Sequence, residues 1–171
     1  KEAAARALAD FGAGAGASRL ICGSLAPHHE LEEALAAFKG TEAALTFSSG
    51  YATALGVIPA LMGKNDVILL DRLVHACLVD AARLSGAKLR VFKHNDLDDL
   101  EAKLRWATRG RSAKRNAHGA STSPQVLVLT ESVFSMDGDT APLRALVDLK
   151  ERHGAWLMVD EAHATGLYGP R

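Results

Sequence analysis

Cysteine is scarce in this chain: Cys22 and Cys77 are the only two among 171 residues. They have neither C-x-x-C spacing nor the number a disulfide framework needs, which excludes a stapled secreted scaffold and points to a reducing, cytoplasmic compartment with both as buried thiols. Net charge is absent as well. Twenty Lys plus Arg balance twenty Asp plus Glu, so no overall electrostatic pull toward nucleic acid or an anionic membrane is expected. No apolar run reaches the roughly 18 residues of a membrane span. The Ala-rich start is broken by Glu2, Arg6 and Asp10, unlike a signal peptide. Several catalytic signatures are missing too. Without H-E-x-x-H or paired cysteines, a metal site has no ligand set, and without G-x-S-x-G an acyl hydrolase lacks its nucleophile turn. What remains, with 48% apolar residues, is a globular domain whose partner is a small molecule.

The apolar residues alternate between short continuous runs and helical spacing, the pattern of an α/β protein built from βαβ units around a mainly parallel sheet. The spacing predicts strands over Ala44–Phe47, Val67–Leu70, Leu89–Phe92, Val126–Thr130 and Trp156–Val159. All are nearly uninterrupted apolar runs, as expected of strands covered by helices on both faces. Helices are predicted over Glu2–Phe11, His28–Lys39, Tyr51–Leu61, Ala76–Leu84, Leu97–Ala107 and Leu143–His153, with apolar residues three or four apart. Leu31, Leu35 and Phe38 make one face of the second, and Pro59 should kink or end the third. Thr108–Ser123 carries Arg109, Arg111, Lys114 and Arg115 among Gly, Ser and Asn. Lacking apolar periodicity and interleaved aromatics, it reads as a solvated loop in preference to a nucleic-acid patch.

Ligands of open α/β sheets bind beyond the carboxyl ends of the strands, and the polar residues of this chain collect there. Ser48, Ser49 and Gly50 follow the first predicted strand, Asp71 the second, Glu131 and Ser132 the fourth, and Asp160 and Glu161 the fifth. Ser48-Ser49-Gly50-Tyr51 stands where a helix begins. The serine there is an ordinary cap, and the exposed amides also suit a phosphate. Asp160, followed by His163, either caps a turn or pairs with a buried cationic nitrogen of a ligand that the imidazole also touches. The letters Asp160-Glu161-Ala162-His163 also occur in helicases, but that chemistry requires G-x-x-x-x-G-K-[ST]. The only Gly-Lys pair here, Gly63-Lys64, is followed by Asn65.

Seven segments stand in order: Gly16-Ala17-Ser18-Arg19-Leu20, His28 through Glu32, Phe47-Ser48-Ser49-Gly50-Tyr51, Asp71-Arg72-Leu73-Val74-His75-Ala76, His94-Asn95-Asp96, Thr130-Glu131-Ser132-Val133-Phe134-Ser135-Met136-Asp137-Gly138-Asp139 and Val159-Asp160-Glu161-Ala162-His163-Ala164-Thr165-Gly166. Together they resemble the α-oxoamine synthases, pyridoxal 5'-phosphate enzymes of the aspartate-aminotransferase fold. The resemblance covers nearly the whole chain and is most specific in the last two segments.

It implies a three-layer α/β/α large domain with a mainly parallel, seven-stranded sheet. The chain would be part of that domain, with an N-terminal segment and a small C-terminal domain missing. The implied reaction is decarboxylative condensation of a small amino acid with an acyl-CoA or acyl-carrier thioester in a homodimer. The Ala-Thr-Gly-Leu-Tyr-Gly run after His163 favours L-alanine and a pimeloyl thioester, a step of biotin synthesis. Glycine C-acetyltransferase, 5-aminolevulinate synthase and serine palmitoyltransferase share most of the motifs. The resemblance also implies roles for residues. Ser49, Gly50 and Tyr51 would face the cofactor phosphate, His75 would stack on the pyridine ring, and Ser135 and His163 would lie near the phenolic oxygen. Asp160 would hold the ring nitrogen protonated, with Glu131 on the same rim. His75, Asp160 and His163 are the expected catalytic residues, and no metal is implied. The lysine that binds the cofactor covalently in this family is expected beyond Arg171, so this chain alone is expected to be inactive.

Overall fold

A computed structural model of the chain describes residues 1–109 and 124–168. Most of the predicted basic loop, 110–123, lies outside the described residues. The chain divides into two compact units, Lys1–Ser48 and Ser49–Pro170.

The first unit holds α1 (Glu2–Phe11) and α2 (Ala26–Lys39). Helix α2 begins two residues before the predicted start, because Pro27 stands in its first turn, where a missing N–H costs nothing. It ends at Gly40, which adopts the left-handed conformation with φ 67°. The predicted strand over Ala44–Phe47 does not form. No strand among the described residues pairs with this run, and Leu45 stays 65% exposed. The Thr46 N–H, which a ladder would have used, donates to Glu32 Oε1 at 2.8 Å. The same carboxylate takes both ends of the Arg19 guanidinium, and these donors together hold Glu32 well below the ordinary carboxylate range. Leu31, Leu35 and Phe38 share a face as predicted, but that face is exposed in this unit. Cys22 is exposed, contrary to expectation. It lies in a turn-rich stretch after Gly16 that presents no continuous apolar face to bury it.

The second unit opens with α3 (Gly50–Leu61), capped by Ser49, whose Oγ accepts the Ala52 N–H at 3.1 Å. The helix ends two residues after Pro59. Then follow β1 (Val67–Asp71), α4 (Ala76–Leu84), β2 (Lys88–Phe92), α5 (Leu97–Thr108), β3 (Val126–Glu131), α6 (Leu143–Arg152) and β4 (Trp156–Asp160). The four strands form one parallel sheet in the order β2-β1-β3-β4. The chain moves one way through α4 and the other way through α5 and α6. With right-handed crossovers, α4 therefore covers one face and α5 and α6 the other. Helix α3 packs on α4, and α5 packs on β1, β2 and β3.

The inner strands β1 and β3 are buried along their whole length, which is why their sequences, VILLD and VLVLTE, show no polar alternation. Ile68, Leu69, Leu127, Leu129, Phe92, Leu100 and Leu104 fill the core. Each such side chain contributes about 1.5–3 kcal/mol on leaving water. Outer strands β2 and β4 are only partly covered. No helix of the described residues is long and apolar enough to cross a membrane.

Candidate active site

Because all four strands run the same way, their carboxyl ends share one edge, and each ends on a functional group or leads into one. Asp71 closes β1, Glu131 closes β3 and Asp160 closes β4. The strand order reverses direction between β1 and β3, the switch point at which ligands of such sheets bind.

Beside that point lies a cavity of about 170 Å³ lined by Gly50, Tyr51, His75, Cys77, Glu131, Asp160, Ala162 and His163. Six of the eight residues expected at the site thus come together. Ser49 and Ser135 do not line it: Ser49 caps α3, and Ser135 is exposed in the turn between β3 and α6.

Several groups at or beside the cavity are held by specific bonds. Ser49 uses its Oγ and its carbonyl to take the Ala52 and Thr53 amides. The first two amides of the helix, those of Gly50 and Tyr51, have no acceptor within a helix and belong to residues at the cavity wall. His75 caps α4, its Nδ1 accepting the Cys77 N–H at 3.2 Å, so a neutral ring carries its proton on Nε2. Glu131 Oε1 accepts the His75 N–H at 2.5 Å, tying the end of β3 to the start of α4. Asp160 Oδ1 accepts the Ala162 N–H at 2.9 Å, which turns the chain so that His163 also reaches the cavity.

Glu131 and Asp160 are partners in the β3–β4 register. Burial pushes Glu131 above the ordinary carboxylate range; the His75 N–H partly offsets this and the neighbouring Asp160 adds to it. Burial, then Asp160, likewise push the Cys77 thiol up. The cavity therefore sets a carboxyl raised by burial against the Asp160 carboxyl, beside two imidazoles and a helix start. The residues fit pyridoxal phosphate on two observations. A Cβ placed on Gly50 would meet no atom within 4 Å, leaving open space for an anion against the helix amides. Asp160 has only one oxygen engaged by Ala162, leaving a carboxylate face for a protonated nitrogen.

A family model described as aminotransferase class I and II matches residues 1–171. The chain belongs to this family. It is 51% identical over 169 residues to an 8-amino-7-oxononanoate synthase of Geobacter sulfurreducens, covering 99% of this chain and 40% of that protein. Among solved structures, a serine palmitoyltransferase from S. paucimobilis with pyridoxal phosphate and myriocin bound matches with a TM-score of 0.86 at 38% identity, over 99% of this chain and 40% of the other. The 8-amino-7-oxononanoate synthase of Francisella tularensis matches with a TM-score of 0.74 at 28% identity, over 99% and 42%. The chain thus spans about two fifths of the length of these relatives. The α/β fold and the α-oxoamine synthase resemblance are both upheld.

A second polar cluster on the same edge was not foreseen as a unit. His94 Nδ1 stands 2.9 Å from Asp71 Oδ1 and His94 Nε2 stands 2.6 Å from Asp139 Oδ2. Asn95 donates its backbone N–H to Asp71 Oδ2 at 3.0 Å and its side-chain amide to Asp139 Oδ2 at 2.9 Å. His94, Asn95 and Asp139 all lie in segments that carried the resemblance, yet only the fold reveals that they meet. Cys77 and Ala162 were missed as lining residues. The signal available was their position two residues after His75 and Asp160, within the turns those residues cap.

Proposed function

We propose that this chain is the cofactor-holding part of a pyridoxal-phosphate-dependent acyltransferase that condenses L-alanine with a pimeloyl thioester, releasing CO₂ to give 8-amino-7-oxononanoate. The observation that carries the cofactor reading is the convergence of Gly50, Tyr51, His75, Glu131, Asp160 and His163 on one cavity at the carboxyl edge. The choice of substrates rests on the identity to the Geobacter synthase.

When bound, pyridoxal phosphate supplies an electron sink for the carbanion generated at the amino-acid α-carbon. The residues of this chain bind and orient it. The Gly50 and Tyr51 amides receive the phosphate, where the partial positive charge of a helix start favours an anion. His75, its ring fixed by the Cys77 N–H, would stack on the pyridine. Asp160 keeps the ring nitrogen protonated, and a carboxylate so paired avoids the cost of an isolated buried charge. His163 and, from the exposed turn outside the cavity, Ser135 would serve the phenolic oxygen, Ser49 shapes the phosphate-binding turn by capping α3, and Glu131 holds the backbone at His75. No lysine lines the cavity among the described residues. The chain spans about two fifths of the length of its relatives, and the proposed parent is a homodimeric, cytoplasmic enzyme.

The test uses the full-length protein, assayed with pimeloyl-CoA and L-alanine beside acetyl-CoA and glycine. Faster turnover of the first pair is expected. Faster turnover of the second would overturn the substrate assignment, and failure to take up pyridoxal phosphate would overturn the cofactor reading.

A further inference from the structure

Between β3 and α6 the chain makes an excursion from Ser132 to Ala141. It is closed at its base by the Ala141 N–H donating to the Ser132 carbonyl at 3.0 Å and by a Val133–Thr140 antiparallel bridge. Inside it, the Phe134 N–H donates to the Asp139 carbonyl and the Gly138 N–H to the Phe134 carbonyl, both at 2.9 Å. Ser135 sits in the exposed turn. Side chains of His94, Asn95, Phe134 and Asp139 tie this excursion to the start of the neighbouring crossover. Phe134, fully buried, packs perpendicular to the His94 ring with centroids 4.5 Å apart, and Asp139 reaches His94 and Asn95.

The protons of this cluster can be assigned from geometry. Asp71 Oδ1 accepts the Leu73 N–H and Asp71 Oδ2 accepts the Asn95 N–H, so both oxygens already act as acceptors. His94 Nδ1 must then donate to Asp71. Asn95 Nδ2 also approaches His94 Nε2, at 3.3 Å, but its two hydrogens have acceptors in Asp139 Oδ2 and the Thr140 carbonyl at 3.3 Å. The 2.6 Å contact between His94 Nε2 and Asp139 therefore needs a proton of its own.

We propose that His94 is a positioning residue: an imidazolium donating from both ring nitrogens, to Asp71 and to Asp139, that holds the Ser132–Ala141 excursion, and with it Ser135, against the carboxyl edge of the sheet. The charged groups facing the ring are Asp71 from β1 and Asp139 from the excursion. Burial works against the charged ring, but these two carboxylates outweigh it and raise His94 above its ordinary value. The placement of Ser135 matters for chemistry only if it serves the cofactor, so the inference rests on the cofactor reading above.

The experiment uses full-length protein labelled with ¹⁵N-histidine. At about pH 6.5, the ordinary histidine value, both His94 ring nitrogens should resonate mainly in the protonated range. One unprotonated nitrogen, as would follow if Asp139 carried the proton, overturns the proposal without recourse to any variant. Next, His94→Gln and the gentler Asp139→Asn are compared with the parent by amide exchange and by pyridoxal-phosphate retention. Losing one charge-assisted tie should speed exchange at Phe134 and Gly138 about tenfold and weaken cofactor retention by a similar factor, with the amides of β1 and β3 unchanged. Unchanged exchange at Phe134 and Gly138, or faster exchange with retention intact, would show that His94 does not position this segment for the cofactor. A parent that takes up no pyridoxal phosphate would instead sink the cofactor reading, and the ring resonances with the exchange data would still decide the tie.

Discussion

Two polar clusters stand on the same edge of one sheet, each built from two carboxyl groups and histidine, and they differ in how far their hydrogen bonds are satisfied. In the Asp71–His94–Asp139 cluster both ring nitrogens are engaged, Asp71 has donors on both oxygens, and Asn95 fills in between. Only Asp139 Oδ1 is buried without a partner among the described residues. In the His75–Glu131–Asp160–His163 cluster the bonds holding the carboxyls use one oxygen each, Glu131 Oε1 and Asp160 Oδ1, around an open cavity. A network closed but for Asp139 Oδ1 fixes structure, because its other groups have already exchanged water for a protein partner. An open one keeps unspent polar capacity for a ligand. The same residue types thus serve architecture in one place and, on the proposed function, chemistry in the other.

The comparison breaks most decisively at Asp160. Asp160→Asn keeps the size and the acceptor for the Ala162 N–H but removes the charge. In the full-length protein, turnover should fall at least about a hundredfold, equivalent to roughly 2.7 kcal/mol of transition-state stabilisation, with little change in melting temperature. Normal turnover with normal cofactor loading would place Asp160 among the merely structural residues.

The opposite signature is expected at the closed cluster. His94→Gln should cost about 2 kcal/mol of stability, the order of a charge-assisted hydrogen bond in a part-buried site, readable in chemical denaturation. The sign with pH follows from the raised value. A histidine favoured in its charged form by the fold contributes fully below its unfolded value of about 6.5, and that stability is lost as pH rises through the folded value. The parent should therefore lose stability on the alkaline side and His94→Gln should not; parallel curves would refute the assignment.

A smaller loss tests the border between the two kinds of residue. Ser49→Ala removes the cap of α3 and should cost about 1 kcal/mol, whereas Ser49→Asn, itself a good cap, should restore stability. If Ser49→Asn folds normally but loses cofactor affinity, Ser49 touches the ligand as well as the helix.

The smallest change expected is one of slope. Glu131 is raised in the folded state, so its contribution is greatest while it is protonated and declines as pH climbs from the ordinary carboxylate value through the folded one. Glu131→Gln keeps an acceptor for the His75 N–H and should flatten this decline in the melting temperature. A variant whose melting temperature tracks the parent at every pH would show that Glu131 ionises freely.

How much of this was legible in the sequence varies with the range of the interactions. Helices α1 and α4 have the predicted bounds, because a helix is closed by bonds between residues four apart and by local caps. Strands β1 and β3 were legible as apolar runs bounded by polar ends. Ala44–Phe47 looked the same, yet a strand exists only when something pairs with it, and Thr46 found Glu32 instead. Gly50, Tyr51, Glu131, Asp160 and His163 were legible as candidates because they sit at or just after strand ends and a helix start, whereas His75 came only with the family resemblance. The tie through His94 was not legible, because its partners lie 23 and 45 residues away and no periodicity links them.

By itself, then, the sequence determined the alternation of strands and helices, the polar residues at the strand ends and the family, since these depend on neighbours within a few positions. The tertiary structure alone decided the order β2-β1-β3-β4, the meeting of Asp71, His94 and Asp139, and the protonation preferences of Glu131 and His94. Those depend on burial and on charges brought within hydrogen-bonding distance by chain segments far apart, and a charge reads its surroundings in space, not along the chain.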